Sequence, residues 1–401
     1  MCVAEIFGML GVFTFPALLP VFFDEWGLSN TEAGWINGIY FFGYAISSAL
    51  LVSMTDRVDP KKVYLPCMLL TAVTALGFPL LASGFWSALA LRFLAGIGLA
   101  GTYMPGLKAL TDQIEGPAQS RAVSFYTSSF GIGSALSFLL SGIIARHFDW
   151  QTAFFWLGAG PVVALGIVLF MLPPHTPVPA PDSGGGMEKF TRTIKNRRAM
   201  GYTLAYMVHN FELFGLRTWV VTFLAFNLGT RNDVWFTPTE MAALITVLAL
   251  PASVSGNEFA LRFGRRRMVA VIMWSSALIA AFIGLAGLWP YWLLSLVCLM
   301  YGVTVMGDSS AITAGTVGES LPGMRGMTLA VHACVGFIGS FLGPTVFGLM
   351  LDLGGGRESL NAWWLAFATM GVTVALGPVF VLLLVREKPA PGPVPSPQNA
   401  D

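Results

Sequence analysis

Charge is what this chain has least of. Only 11% of its 401 residues are Asp, Glu, Lys or Arg, where a soluble globular domain carries about 25%. That shortage excludes an ordinary soluble protein. A net charge of +1 gives no basic or acidic face, so neither nucleic acid nor an acidic macromolecule is expected as a partner. Cysteine is scarce too: Cys2, Cys67, Cys298 and Cys334 lie scattered in apolar stretches, as space-filling free thiols rather than a disulfide or metal framework. No phosphate-binding loop, metal-ligand spacing or nucleophile elbow occurs, so enzymatic activity, a cofactor and a bound metal are all unexpected. A basic leader of the secretory kind is also missing. The first apolar run begins at Cys2 with only Glu5 as an early charge, and a natural start usually places some cytoplasmic residues first. The true N-terminus is expected to be longer or trimmed.

What the chain has instead is apolar length. It is 55% hydrophobic, with a mean hydropathy of +0.70. A helix needs about 20 apolar residues to cross the hydrocarbon core. Twelve runs of that size can be read, at 2–23, 31–54, 63–83, 86–110, 121–145, 152–172, 200–226, 239–261, 268–288, 291–313, 327–350 and 362–385. With both termini in the cytoplasm, the inner segments hold 17 of the 22 Lys and Arg residues; the outer loops hold only Arg146, Arg231 and Arg357. That asymmetry is the signature of cytoplasmic loops. The expectation is an all-α, multi-pass protein of a bacterial-type inner or plasma membrane, with the lipid bilayer as its solvent.

The longest connection joins spans six and seven. Pro173, Pro174, Pro177, Pro179 and Pro181 stiffen its start and Gly184 to Gly186 loosen it. From Met187 to Arg198 it turns basic, with Phe190 and Ile194 four residues apart, which predicts a short helix on the inner membrane surface; a solvated charge run is the plainer alternative. The chain thus divides into residues 1–172, a linker at 173–199, residues 200–386 and a disordered, proline-rich tail at 387–401.

The two long segments are related. Asp56-Arg57-Val58-Asp59-Pro60-Lys61-Lys62 follows span two, and Leu261-Arg262-Phe263-Gly264-Arg265-Arg266-Arg267 follows span eight; Arg57 and Arg262 are 205 positions apart, as are Lys61 and Arg266. Gly133-Ser134 and Gly142 in span five recur as Gly339-Ser340 and Gly348 in span eleven, at an offset of 206. Six spans plus six in parallel repeat is the plan of a rocking transporter.

At this point the sequence resembles the major facilitator superfamily, over essentially its whole length. The family's loop G-x-x-x-D-[RK]-x-G-[RK]-[RK] is matched by Asp56, Arg57 and Lys61, with Val52 and Asp59 where glycines are usual. Its weaker second copy is matched by Arg262, Gly264, Arg265 and Arg266, with Leu261 in place of the acid. The family's span-four motif is matched by Arg92-Phe93-Leu94-Ala95-Gly96-Ile97-Gly98. The resemblance implies twelve helices in two pseudo-symmetric six-helix bundles, with spans one, four, seven and ten lining a central cavity. In feel the chain is nearest the nitrate/nitrite-porter and cyanate/organic-anion branches. It also implies a cytoplasmic gate at Asp56, Arg57, Lys61, Arg262, Arg265 and Arg266, and proton coupling through Arg92. Independently, Asp56 at the inner end of span two faces the positive start of span eleven near Gly326 to Thr328, unless it merely caps a helix.

Span seven carries the ionisable residues. His209, Glu212 and Arg217 fall inside an otherwise apolar run, where a charged group costs roughly 2.5 kcal/mol or more and is usually paired or cavity-facing. His209 and Glu212 share a helix face. Arg217 lies about 140° further round and joins them only if the helix bends at Gly215. In one reading Arg217 or His209 attracts an anionic substrate and Glu212 carries a proton; in the other, Glu212 and Arg217 pair with neighbouring helices. Asp308 in span ten wants a partner from span seven, from His332 or from Lys108. Lys108 has Asp112 at i+4 and is read as a gate residue. Asn37, Tyr40, Tyr44, Tyr103, Tyr126, Ser129 and Trp219 complete a candidate cavity, or are simply packing.

The function expected is secondary active transport of a small polar, possibly anionic, solute by a monomer, through alternating access and proton symport. Proton-antiport efflux of drugs or metabolites is the alternative.

Overall fold

The structure is a computed structural model that describes residues 1–114, 116–174, 186–229 and 234–385. The proline-rich stretch at 175–185, Arg231 and the tail with Arg386 and Lys388 lie outside the described residues. Among the described residues every regular element is helical. In chain order they are α1 (Cys2–Met9), α2 (Thr14–Ala17), α3 (Leu19–Trp26), α4 (Asn30–Met54), α5 (Pro60–Leu81), α6 (Phe85–Ala100), α7 (Tyr103–Thr111), α8 (Pro117–His147), α9 (Trp150–Met171), α10 (Gly186–Lys195), α11 (Arg197–Leu228), α12 (Pro238–Phe263), α13 (Arg265–Ile283), α14 (Tyr291–Gly307), α15 (Ser309–Gly318), α16 (Arg325–Leu353) and α17 (Leu360–Leu384); a 3₁₀ turn, Gly284–Leu288, extends α13. Among the described residues, eleven helical stretches are long and apolar enough to cross a membrane.

The first expected span is the exception, because it is broken into α1, α2 and α3. Pro16 is the physical cause. It has no N–H to return to the Val12 carbonyl four residues back, so that ladder bond is never made. Residues 10–13 form a turn instead. Spans four and ten are interrupted as well, at Gly101–Thr102 between α6 and α7 and at Asp308 between α14 and α15. Those two breaks lie 206 positions apart, the offset of the sequence repeat.

The helix starts repeat in the same way. Ser29 and Glu32 form a capping box on α4, and Thr237 and Glu240 form another on α12. Asp149 caps α9 by accepting from the Thr152 N–H at 2.6 Å, and those bonds from Thr152 hold its carboxyl below the usual range. The basic stretch after the linker divides in two: α10 takes residues to Lys195 with Met187, Phe190 and Ile194 exposed, while Arg197 and Arg198 open α11.

Helix α11 is the most deeply buried of the long helices. It packs mainly against α16 and α17 and also touches α2 and α3 of the first half. Between the first and second halves of the chain the main contacts are α4 on α16 and α8 on α12. Glycine permits both. A β-carbon on Gly348 would overlap the Asn30 carbonyl oxygen, and one on Gly142 would overlap the Thr239 hydroxyl. The repeated glycines of spans five and eleven therefore meet the starts of α12 and α4, in matching positions.

Candidate functional site

Pro16 leaves the Val12 carbonyl without a backbone donor, and Arg92 fills the gap. Its Nη1 donates to Val12 O at 3.0 Å, and the guanidinium lies 4.3 Å from the centre of the Tyr40 ring. The Nε of Arg92 and the hydroxyl of Tyr40 are buried without hydrogen-bond partners among the described residues. The next residue in the break, Phe13, is met from the second half of the chain. Arg217 stands 5.4 Å from the Phe13 ring and 5.6 Å from that of Phe214. One cation from each half thus flanks residues 12 and 13. Arg217 is only 8% exposed and has no carboxylate partner among the described residues. Aromatic faces supply part of what a buried guanidinium loses on leaving water, and they leave its five donors largely unused.

The other two groups of span seven go elsewhere. Glu212 Oε1 accepts from Ser276 Oγ of α13 and from Tyr301 OH of α14, both at 2.8 Å, inside the second half of the chain. His209 Nδ1 lies 2.7 Å from Asp308 Oδ1, a close polar contact off the hydrogen-bond direction, with both side chains sealed from solvent. Tyr206 stacks between His209 and His332, at centroid distances of 5.7 and 4.0 Å. His332 contacts the Thr316 hydroxyl at 3.1 Å and that of Thr313 at 3.4 Å. The partner of Asp308 is therefore His209, and neither His332 nor Lys108. Lys108 holds Asp112 at 3.0 Å, the local i+4 pair. His209 and Glu212 share a face as expected, toward α14, but Arg217 does not join them.

The aromatic candidates separate likewise. Trp219 donates from its indole nitrogen to Pro344 O at 3.1 Å and stacks on Phe347, so it is fully used in packing. Asn37 donates to Ala33 O at 3.2 Å within its own helix. Tyr103 stacks on Tyr126. Tyr126 OH lies 2.9 Å from Glu5 Oε2, and Glu5 is 2% exposed with Oε1 unpartnered. Glu5 appeared in the sequence only as an early charge. The signal that marks it is its place 207 positions before Glu212, close to the repeat offset. Each half thus buries one carboxyl on its first long stretch, met by a tyrosine hydroxyl.

Among the described residues, the contacts of Lys61, Arg262 and Arg266 lie within their own halves. Lys61 Nζ donates to the carbonyls of Leu169 (2.9 Å) and Leu172 (2.5 Å) at the end of α9, and Arg266 Nη2 donates to Leu382 O at 2.6 Å near the end of α17. These repeat-related cations each finish the last helix of their own half. Arg262 lies over the ring of Phe263. Arg265 keeps a buried, unpartnered Nε. Arg57 is exposed, and so is Asp56, whose carboxylate carries no ion pair or hydrogen bond among the described residues. No group of His, Cys, Asp and Glu among the described residues has a metal-binding arrangement.

A sequence profile of the Major Facilitator Superfamily matches residues 1–322. The chain belongs to that superfamily. A gentisate transporter of Corynebacterium glutamicum is 25% identical over 382 residues, covering 90% of this chain and 82% of that one. The 3-(3-hydroxy-phenyl)propionate transporter of Escherichia coli is 23% identical over 373 residues, covering 92% and 89%. The niacin transporter NiaP of Acinetobacter baylyi is 23% identical over 296 residues, 65% of this chain and 66% of that one. Among solved structures, a bacterial homolog of the human lysosomal transporter Spinster, inward-facing and unoccupied, aligns with a TM-score of 0.74 at 16% identity, covering 96% and 94% of the two chains. The nucleoside transporter NupG gives 0.74 at 14%, covering 96% and 99%. At these identities the structural likeness speaks to fold. As a major facilitator superfamily member the chain is a multi-pass membrane transporter of a small solute and not an enzyme.

Proposed function

We propose that the protein is a secondary active transporter that carries a small organic anion, of the size and kind of an aromatic carboxylate, by alternating access coupled to protons. Twelve spans in two six-helix bundles, 1–172 and 200–386, rock about the anion as a monomer, with both termini cytoplasmic. The observation that carries the reading is Arg217: a buried cation at the contact between the halves, flanked by phenyl rings and free of any carboxylate among the described residues. A ring-bearing carboxylate supplies both the missing charge and a matching aromatic face. The relatives that transport gentisate, niacin and 3-(3-hydroxyphenyl)propionate support that class. Glu212, held by two hydroxyls in the second half, is the proton carrier of this reading, and Glu5 is its counterpart in the first.

The test is uptake of radiolabelled aromatic carboxylates into proteoliposomes under an imposed pH gradient. Uptake driven by an acidic exterior is expected, and Arg217→Met is expected to abolish it. Uptake by Arg217→Met equal to that of the unaltered protein removes the anion site. Stimulation by the opposite gradient reverses the coupling to antiport.

A further inference from the structure

The carboxylate of Asp352 joins the halves at the end of the molecule opposite residue 1 and Leu384. Asp352, in the last turn of α16, accepts from the backbone N–H of Asn30 at 3.2 Å and of Thr31 at 2.8 Å. It also accepts from Asn30 Nδ2 at 2.7 Å and from the Thr31 hydroxyl. Asn30 and Thr31 are the first two residues of α4, whose leading amides have no acceptor inside the helix. Ser29 serves the third amide, that of Glu32, from within the same chain segment. The first two are served from the other half. A carboxylate there also lies against the positive end of the helix dipole.

We infer that Asp352 is the latch that keeps this end closed, a positioning residue for transport rather than a group that touches solute. The inference rests on the alternating-access reading above. Three further observations carry it. The repeat partner of this contact is chemically different: α12 begins with Pro238, which has no N–H to offer. There the approaching helix presents Arg146, 206 positions before Asp352, and it meets Glu240 at 3.4 Å with half of its side chain exposed. An exposed pair of that kind contributes little. Glycine brings the backbones into contact beside the latch, since a β-carbon on Gly34 would overlap the Pro344 carbonyl oxygen. At the opposite end Asp56, the acid expected to meet the start of α16, is exposed and carries no ion pair or hydrogen bond among the described residues. One end is fastened by a carboxylate on a helix start, and the acid expected at the other end has no such contact among the described residues.

The latch is tested in detergent-purified protein by the rate of maleimide alkylation at a single reporter, Thr345→Cys. Thr345 sits on α16 with its hydroxyl 3.5 Å from the Gly34 carbonyl, under the cover of α4. The native Cys298, fully buried within the second half, is the control for general loosening; Cys2, Cys67 and Cys334 are replaced by serine. Asp352→Asn keeps the shape but loses the charge and part of the accepting capacity. Its expected effect is faster alkylation at the reporter, on the order of tenfold, with Cys298 unchanged. Asp352→Glu is expected to restore slow labelling in part, and Arg146→Gln to change it less than about twofold. An unchanged rate in Asp352→Asn overturns the inference. So does equal acceleration at Cys298, which signals unfolding, or an Arg146→Gln effect as large as that of Asp352→Asn. The measurement needs no substrate, so failure of the substrate class in uptake leaves its result intact, and failure of the latch leaves uptake unexplained rather than refuted.

Discussion

At the scale of single residues, the ionisable groups of span seven have been sorted into three separate environments. Glu212 is held by neutral donors, Ser276 and Tyr301, which serve either protonation state: both hydroxyls donate to a carboxylate, and one can turn to accept from a carboxylic acid. Glu212→Gln preserves shape but cannot take up or release a proton. It is expected to abolish uptake driven by a pH gradient while leaving substrate exchange, and normal gradient-driven uptake by that variant excludes Glu212 as carrier. Arg217→Lys keeps the charge but not the flat guanidinium face beside Phe13 and Phe214, and its expected loss of affinity is about tenfold, read as a raised KM for exchange. The sequence makes His209, Glu212 and Arg217 conspicuous because each interrupts an apolar run. It does not say what each meets. Partner choice depends on which face of α14 turns toward α11, and periodicity along one helix carries no information about the rotation of another. Glu5 shows the opposite difficulty. Near a chain end a carboxylate looks like an ordinary terminal charge, and only the repeat offset to Glu212 marks it.

At the scale of elements, the breaks matter as much as the helices. Restoring an amide with Pro16→Ala gives Val12 O a backbone donor and displaces Arg92 from it. The expected result is a more continuous first span, unchanged or slightly raised thermal stability, and transport reduced by about an order of magnitude. A fall in stability together with normal transport contradicts this account of the break. The cations Lys61 and Arg266 belong to the same scale. Each donates to closing carbonyls of a helix, so Lys61→Ala or Arg266→Ala is expected to cost roughly 1–2 kcal/mol, seen as a lowered Tm, with little change in KM. The long helices were legible from hydropathy because crossing a bilayer demands their length. The three pieces of the first span were not, because Gly8, Gly11, Pro16 and Pro20 are tolerated in membrane helices as often as they break them.

At the scale of the whole molecule, the repeat is expressed in contacts. Gly142 and Gly348 meet the starts of α12 and α4, the interruptions at 101–102 and 308 keep the same offset, and capping boxes open α4 and α12. A constant spacing in the sequence predicts this much, because repeated glycines at helix crossings impose equivalent close approaches. What spacing does not predict is the chemical difference between the two crossings, one carboxylate on bare amides and one exposed ion pair. If the halves rock, tying them at this end must stop transport. Arg146→Cys with Glu240→Cys, joined by a short bis-maleimide, is expected to abolish uptake, and a cleavable linker to return it on reduction. Uptake at full rate by the tethered protein is incompatible with rocking.

The trans-capped start of α4 also bears on how the protein is made. Asn30 and Thr31 emerge from synthesis early, but the oxygen atoms that complete their helix belong to a residue more than three hundred positions later. Until that stretch has been inserted, the second membrane segment sits in the bilayer with its leading amides served only by water. The nascent first half is consequently an unfinished object that waits for its counterpart, and hydrogen exchange at those two amides marks the moment of joining.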